Sequence, residues 1–309
     1  MRDTAILPTR AIEEFVNVVN DWLDYLLPGA IVWGNFRTGK TQAIRYLLEN
    51  IDELLGSPIP AFLFSPWDAE QQQVTESRFY KEMLHMLGYE LADSGVGGVK
   101  RRRTIDCMVE RVRARDEHRL LLFVDEAQWL TRKHLRFLMD LHNQLKLADV
   151  RLITILVGQP ELLAIKDGLR SSRQGHLVGR FMTCTHRFDG VLDSVDIDRM
   201  FTSLDSGSEY PTGSGVSFTE YFVPKAFQSG WRMKDQASQF WRVLLAVCER
   251  EGLPKIEELP MQAISAVIRA LLRDLSEMDE SSLELTSGHT EEVIYRVALL
   301  QIKDHLIQT

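Results

Sequence analysis

Gly34-Asn35-Phe36-Arg37-Thr38-Gly39-Lys40-Thr41 places two glycines around four residues and follows them with lysine and threonine. That order suits phosphate chemistry. Gly34 and Gly39 permit backbone angles that a Cβ opposes, so the loop can aim successive N–H groups at anionic oxygens. A helix start behind the loop adds positive potential. Lys40 is placed to neutralise β- and γ-phosphates, and the Thr41 hydroxyl to reach Mg2+. Eighty-five positions after Lys40, the pair Asp125-Glu126 ends the apolar run Leu120-Leu121-Leu122-Phe123-Val124. Carboxylates at the C-terminal end of a strand sit where an open α/β sheet puts its ligands. Asp125 would hold Mg2+ through its water shell, and Glu126 would polarise an attacking water as general base. An isolated acid pair at a strand end is usually only solvated. Paired with the glycine loop, it points to ATP binding and hydrolysis.

These groups need elements to position them. Ala30–Trp33 reads as a buried strand before the loop, and Gln42–Leu48 as the helix after it. Pro60–Phe64, Leu120–Val124 and Val150–Gly158 read as further strands. The last two are continuous apolar runs of the kind covered on both faces of a parallel sheet. Phe181–Phe188 suggests one more. Amphipathic spacing predicts helices over 9–27, 78–87 and about 104–116, with Ser94–Gly98 as a flexible loop. Residues 205–220 are rich in turn formers and read as a loop or mobile insertion. From about 233 the pattern is helical, with helices near 235–251, 260–277 and 290–307. The fold class expected is α/β: a P-loop parallel sheet with helices on both faces and a C-terminal helical lid. The division expected is 1–230 for the α/β core and 231–309 for the lid.

Composition narrows the function classes. The chain has 309 residues, 45% hydrophobic and 26% charged, with a formal net charge of −8. That acidity argues against coating nucleic acid by bulk charge, so such binding would need a local basic patch. Cys107, Cys184 and Cys248 form neither a disulfide framework nor a zinc spacing. No apolar run approaches the roughly 20 residues of a membrane span. Met1–Pro8 lacks a signal-peptide core, and a cytoplasmic protein is expected. His118, His134 and His142 have no metal spacing. Trp22, Trp33, Trp231 and Trp241 read as core or interface aromatics, and Lys303-Asp304-His305 as a solvated face.

Four segments carry a resemblance: Gly34–Thr41, Ser77–Gly88, Leu122–Gln128, and Val157–Leu162 with Gly179-Arg180-Phe181 downstream. In that order, over roughly residues 10–190, they resemble the AAA+ ATPases of DNA transposition, the TnsC/TniB group. ExeA-type ATPases share the Gly158-Gln159-Pro160-Glu161-Leu162 stretch. The resemblance implies a polar γ-phosphate sensor after the second motif, for which Gln159 fits best and Thr154 second. It implies an arginine finger reaching a neighbouring subunit's ATP, matched by Arg180 with Arg187 as runner-up. It also implies assembly as rings or helical filaments on duplex DNA, with a target-selection protein and a transposase as partners. Lys100-Arg101-Arg102-Arg103-Thr104 lies where that group faces the DNA backbone, although a solvated charge run is the usual reading of such a stretch. The chain departs from the group in showing no Gly-x-Arg second sensor, with Arg232, Arg269 and Arg273 as substitutes, and in its segment near 205–230. The function expected is an ATP-dependent transposition regulator. The alternatives are an ExeA-like or helicase-loader ATPase, or a nucleotide-gated scaffold with negligible turnover.

Overall fold

The computed structural model describes residues 9–66, 74–253 and 256–308, so the expectation about Met1–Pro8 lies outside the described residues. The chain forms two compact units. One comprises Phe15–Gly34 and Lys40–Phe188; the other comprises the chain up to Glu14, Asn35–Gly39, and everything from Asp189 onward.

The first unit is built on five strands: β1 (Gly29–Trp33), β2 (Ala61–Phe64), β3 (Arg119–Val124), β4 (Arg151–Gly158) and β5 (Cys184–Arg187). All pair in parallel, in the order β2-β3-β4-β1-β5. Their apolar continuity follows from double-sided burial. Leu120, Leu122 and Val124 join a core with Phe79, Met83, Met108, Leu138 and Leu141. The alternate residue Phe123 meets Phe15, which comes from the helix Arg10–Asp24 and also packs edge-on to Phe188. Each fully buried Leu or Phe side chain contributes about 1.5–3 kcal/mol, so this two-faced core dominates the unit's stability.

The helix expected from Thr104 begins earlier, at Gly97, and runs to Arg113. Glycine is disfavoured inside a helix but tolerated in its first turn. Here Gly97 packs against the start of the helix Glu76–Met86, where a side chain would come 3.2 Å from Ser77 N. The earlier start rotates the basic run, with consequences for the candidate site.

The second unit is helical and owns its own core. Ile197, Met200, Phe201 and Leu204 pack with Phe240, Leu244, Ile264, Val267, Leu271 and Ile294. This shared core explains why the units divide at Phe188/Asp189 rather than near 230. Within 205–230, residues 208–216 form the expected loop, while its flanks are tied into short helices. The buried Asp205 carboxylate accepts from Met233 N and Lys234 N, each at 3.0 Å. Glu209 and Ser217 form a bridge, Tyr210 packs on Phe218, Tyr221 and Phe222, and short helices cover Phe218–Phe222 and Pro224–Gln228. Ala237–Arg250 and Met261–Glu277 match the expected helices, whereas the last divides at Ala298 into Ser287–Val297 and Leu299–Gln308. His305 is fully buried against the ring of Phe36, which corrects the reading of Lys303–His305 as a solvated face. Among the described residues no helix is long and apolar enough to cross a membrane.

Candidate functional site

Register brings the chemistry to one edge. Trp33 pairs with Gly158, Leu156 with Val124, and Val124 with Phe64. The residues that follow these strand ends, Gly34, Asp125 and Gln159, therefore emerge side by side at the carboxyl edge of the sheet. That is where an open parallel sheet holds ligands.

Gly34 turns the chain off β1 under steric compulsion, because a Cβ there would lie 2.2 Å from the Phe188 carbonyl oxygen. Its N–H donates to Gly158 O at 3.2 Å. Arg37 and Gly39 both take positive φ, 61° and 108°, the alternation that turns backbone N–H groups to one side as an anion-binding nest. Thr38 Oγ1 closes the loop by donating to Asn35 O at 2.9 Å. Asn35, Phe36 and Arg37 are gripped inside the helical unit. Asn35 Nδ2 donates to the buried Glu258 carboxylate at 2.7 Å, and Gln262 N to Arg37 O at 3.2 Å. Lys40 opens the helix Lys40–Glu49, is buried, and donates from Nζ to Gly34 O at 2.8 Å.

Thr41 and Asp125 stand 84 positions apart in sequence, yet Thr41 Oγ1 donates to Asp125 Oδ2 at 2.7 Å. Asp125 Oδ1 accepts from Glu126 N at 3.0 Å. Burial pushes the Asp125 carboxyl above its ordinary value, against the opposing pull of the Thr41 and Glu126 bonds and the Lys40 charge. A buried carboxylate beside a threonine hydroxyl is a hard-oxygen donor pair that a small divalent cation would relieve of its desolvation cost. The residues present thus fit magnesium.

Glu126 is exposed and left-handed, with φ 50° and ψ 39°. This uncommon backbone state turns the chain sharply out of β3 into the short helical turn Ala127–Trp129 and carries Glu126 away from the buried Asp125. Gln128 on that turn meets both neighbouring motifs. Its Nε2 donates to Glu126 Oε2 at 2.5 Å, and its Oε1 accepts from Gln159 N at 3.2 Å. Sequence reasoning gave Gln128 no role. The only local signal was a polar residue two positions after the acid pair.

The remaining expectations separate. Gln159 follows β4 and is half-buried at the site edge. Thr154 lies mid-strand, fully buried and 2.8 Å from His142 Nε2, so it is excluded as a phosphate sensor. Burial, with the Arg180 charge second, drives His142 down to about 3 and keeps it neutral. His134 is likewise lowered by burial, to about 4. Arg180 ends the helix Gly175–Phe181, whose backbone packs against Gly29 at the start of β1. The five residues of β1 span about 16 Å, so Arg180 sits toward the edge opposite its own loop. Arg187 lies exposed over the Trp33 ring.

The basic run does not form a patch. Lys100 and Thr104 are buried, and Thr104 Oγ1 donates to Lys100 O at 2.9 Å. Arg101 pairs with Glu76 and Asp140, and Arg103 donates to Leu91 O, Ser94 O and Ser94 Oγ. Of the five residues only Arg102 is exposed. The expected DNA contacts of Lys100 and Thr104 are therefore corrected: helical periodicity from Gly97 turns both inward. Among the second-sensor substitutes, Arg232 is held by Phe227 O, Trp231 O and the face of the Phe227 ring.

The parallel sheet, its strand order and the helical part make an AAA+ P-loop fold. Residues 29–165 match the family model described as AAA domain. Among solved structures, the Aeropyrum pernix ORC2 protein, determined as ADPNP–ADP complexes, is similar with a TM-score of 0.57 at 13% identity, over 96% of this chain and 70% of that one. The Aeropyrum pernix ORC1 protein in complex with DNA is similar at 13% identity with a TM-score of 0.44, over 96% of this chain and 85% of that one. Cdc6p from Pyrobaculum aerophilum is similar at 16% identity with a TM-score of 0.45, over 95% and 82%. At these identities the likeness to ORC2 shows the fold alone. No curated protein sequence matches the chain.

Proposed function

We propose that this chain binds ATP with Mg2+ at the carboxyl edge of its sheet, hydrolyses it, and uses the nucleotide to govern its own assembly on duplex DNA. One observation carries the reading: the 2.7 Å bond from Thr41 to Asp125 joins the end of the glycine loop to the acid pair. Lys40 and the loop N–H groups bind and orient the β- and γ-phosphates. Thr41 and Asp125 would hold the metal. Magnesium, when bound, supplies charge neutralisation at the phosphoryl oxygens. Glu126 takes the proton of the attacking water, and Gln159 reports on the γ-phosphate. Arg180, displaced toward the far edge of its own sheet, serves a neighbouring copy as an arginine finger. ATP is then a population switch between free and assembled states.

The finer reading, a transposition regulator that marks a target and recruits a transposase, rests on the four-segment resemblance to the TnsC/TniB group. Its DNA contacts draw on exposed arginines such as Arg102 and Arg113 and on repetition along an assembly, which multiplies weak contacts. Calorimetry with Mg2+ and ATP tests the base of the proposal. Binding is expected in the wild type and a loss of at least about 100-fold in Lys40→Ala, equal to roughly 3 kcal/mol. No heat in folded wild-type protein ends it. Electron micrographs with duplex DNA then test assembly: particles that need an ATP analogue support the switch, and nucleotide-independent particles remove it. Single-turnover rates separate an ATPase from a scaffold, because Glu126→Gln slows only an ATPase.

A further inference from the structure

The Gln128 amide is fixed at both ends. Gln159 N is a donor, so the amide oxygen must face it, and the 3.2 Å contact to Oε1 settles which way the group points. The NH2 end is then obliged to face Glu126, whose Oε2 it meets at 2.5 Å. A third observation concerns space. A Cβ at residue 158 would lie 2.4 Å from Gln128 Oε1 and 2.7 Å from Leu162 Cδ1, so the glycine that ends β4 leaves room for both side chains. The residue before β4's exit, the first residue after it, and the residue two positions beyond Glu126 thus form one construction.

We infer that Gln128 is a positioning residue for hydrolysis, holding the Glu126 carboxylate in a fixed place and tying that place to the end of β4. Glu126 needs such a holder. It is solvent-exposed and stands on a left-handed turn, where an untethered side chain would sample several rotamers. The tether converts the position of Gln159 into the position of the base. A phosphate that draws on Gln159 shifts the β4 exit, and Gln128 carries the shift to Glu126. The inference rests on the reading of Glu126 as general base.

Two variants separate a positioning role from a packing role. Gln128→Ala loses both bonds. Gln128→Glu keeps the shape and the acceptor for Gln159 N, but loses the donor and sets a second carboxylate against Glu126. If Gln128 positions the base, kcat falls about 10-fold or more in both variants while KM for ATP stays within twofold. If Gln128 only packs the β4 exit, Gln128→Glu retains wild-type kcat, and that result overturns the proposal. A nucleotide-free measurement keeps this apart from the ATPase reading. In 15N spectra of the full chain, the Gln128 side-chain amide is expected to be shifted and slow to exchange in the wild type. Its NH2 protons should exchange freely in Glu126→Ala, while its oxygen still accepts from Gln159 N. The Gln159 backbone amide should lose protection in Gln128→Ala and keep it in Gln128→Glu. A Gln128 amide indifferent to Glu126→Ala removes the tether whatever the turnover. A wild type that binds but never hydrolyses ATP removes the base itself, and with it the role assigned to Gln128.

Discussion

Strand β3 carries a carboxylate at each end, and the two are driven in opposite directions. Glu117, just ahead of the strand, accepts from Arg119 Nε and Nη2, Ser57 Oγ and the backbone N–H groups of His118 and Arg119. Those bonds, the Arg119 side chain first, hold its carboxyl down to about 2. Asp125, just after the strand, has two hydrogen bonds and deep burial, and its carboxyl is raised. Glu117 is half-buried as a residue and Asp125 is buried. Asp125 is therefore both the deeper of the two and the one with fewer donors. A carboxylate surrounded by donors is finished as a piece of scaffold. One left short of them keeps an appetite for a cation, which marks the functional end of the strand.

The hardest blow to this comparison comes from Asp125→Asn. If Asp125 is the end that awaits a cation, the variant loses the Mg2+-dependent part of nucleotide binding and turnover by about 1,000-fold, on the order of 4 kcal/mol. Titration with ATP in the presence of Mg2+ and of EDTA measures it. Equal affinities in wild type and variant, with metal present, would make Asp125 another piece of scaffold.

Only the Asp125 end of this contrast was legible in the sequence, and Glu117 carried no signal there. The glycine spacing, the acid pair and the apolar runs are local signals, so the loop, Asp125-Glu126 and the cores of five strands could be read directly. Legibility ended where a contact spans long stretches of chain. Gln128 acquires a role only because β4 delivers Gln159 beside it, and no pattern near Gln128 encodes that register. Asp205 ties the start of its segment to the backbone at 233 and 234, a contact that a stretch of turn formers read alone does not show. Gly97-Gly98 suggested a loop because glycine weakens helices. Packing on Ser77 overrode the propensity, and with it the orientation of Lys100 and Thr104. The division at Phe188/Asp189 reflects which core Ile197 and Phe201 join, a choice made in space.

The other end of β3 gives the next effect. Glu117→Gln removes a carboxylate stabilised by folding, so the variant loses on the order of 2 kcal/mol at pH 7. The folded carboxyl is depressed. Its contribution is therefore complete above the ordinary value of 4.5 and is lost as pH falls toward about 2. Urea unfolding at pH 7 and at successively lower pH is expected to show the two proteins converging over that window. A constant gap would assign the loss to shape, not charge. Nucleotide affinity should be unchanged, since Glu117 sits a full strand away from Asp125.

The smallest effect carries the sharpest sign. Raising a carboxyl by burial means that folding favours its protonated form, so stability falls as pH rises from the ordinary value of 3.8 to the folded value, and the cost is complete above it. In the absence of metal, Asp125→Asn is therefore expected to stabilise the chain at pH 7–8 by about 1 kcal/mol, a rise of roughly 2–4 °C in Tm. With its oxygen turned to Glu126 N, the new amide can donate its NH2 to Thr41 Oγ1, which as a hydroxyl can also accept, so neither group is left without a partner. Below the ordinary carboxylate value of 3.8 the wild-type group is protonated in both states, and the advantage should disappear. Magnesium nucleotide should then reverse the ranking, stabilising the wild type and not the variant. The same substitution at the other end, Glu117→Gln, moves stability the opposite way at pH 7. Two variants that shift Tm in the same direction without metal would show that donor supply does not distinguish the ends of β3.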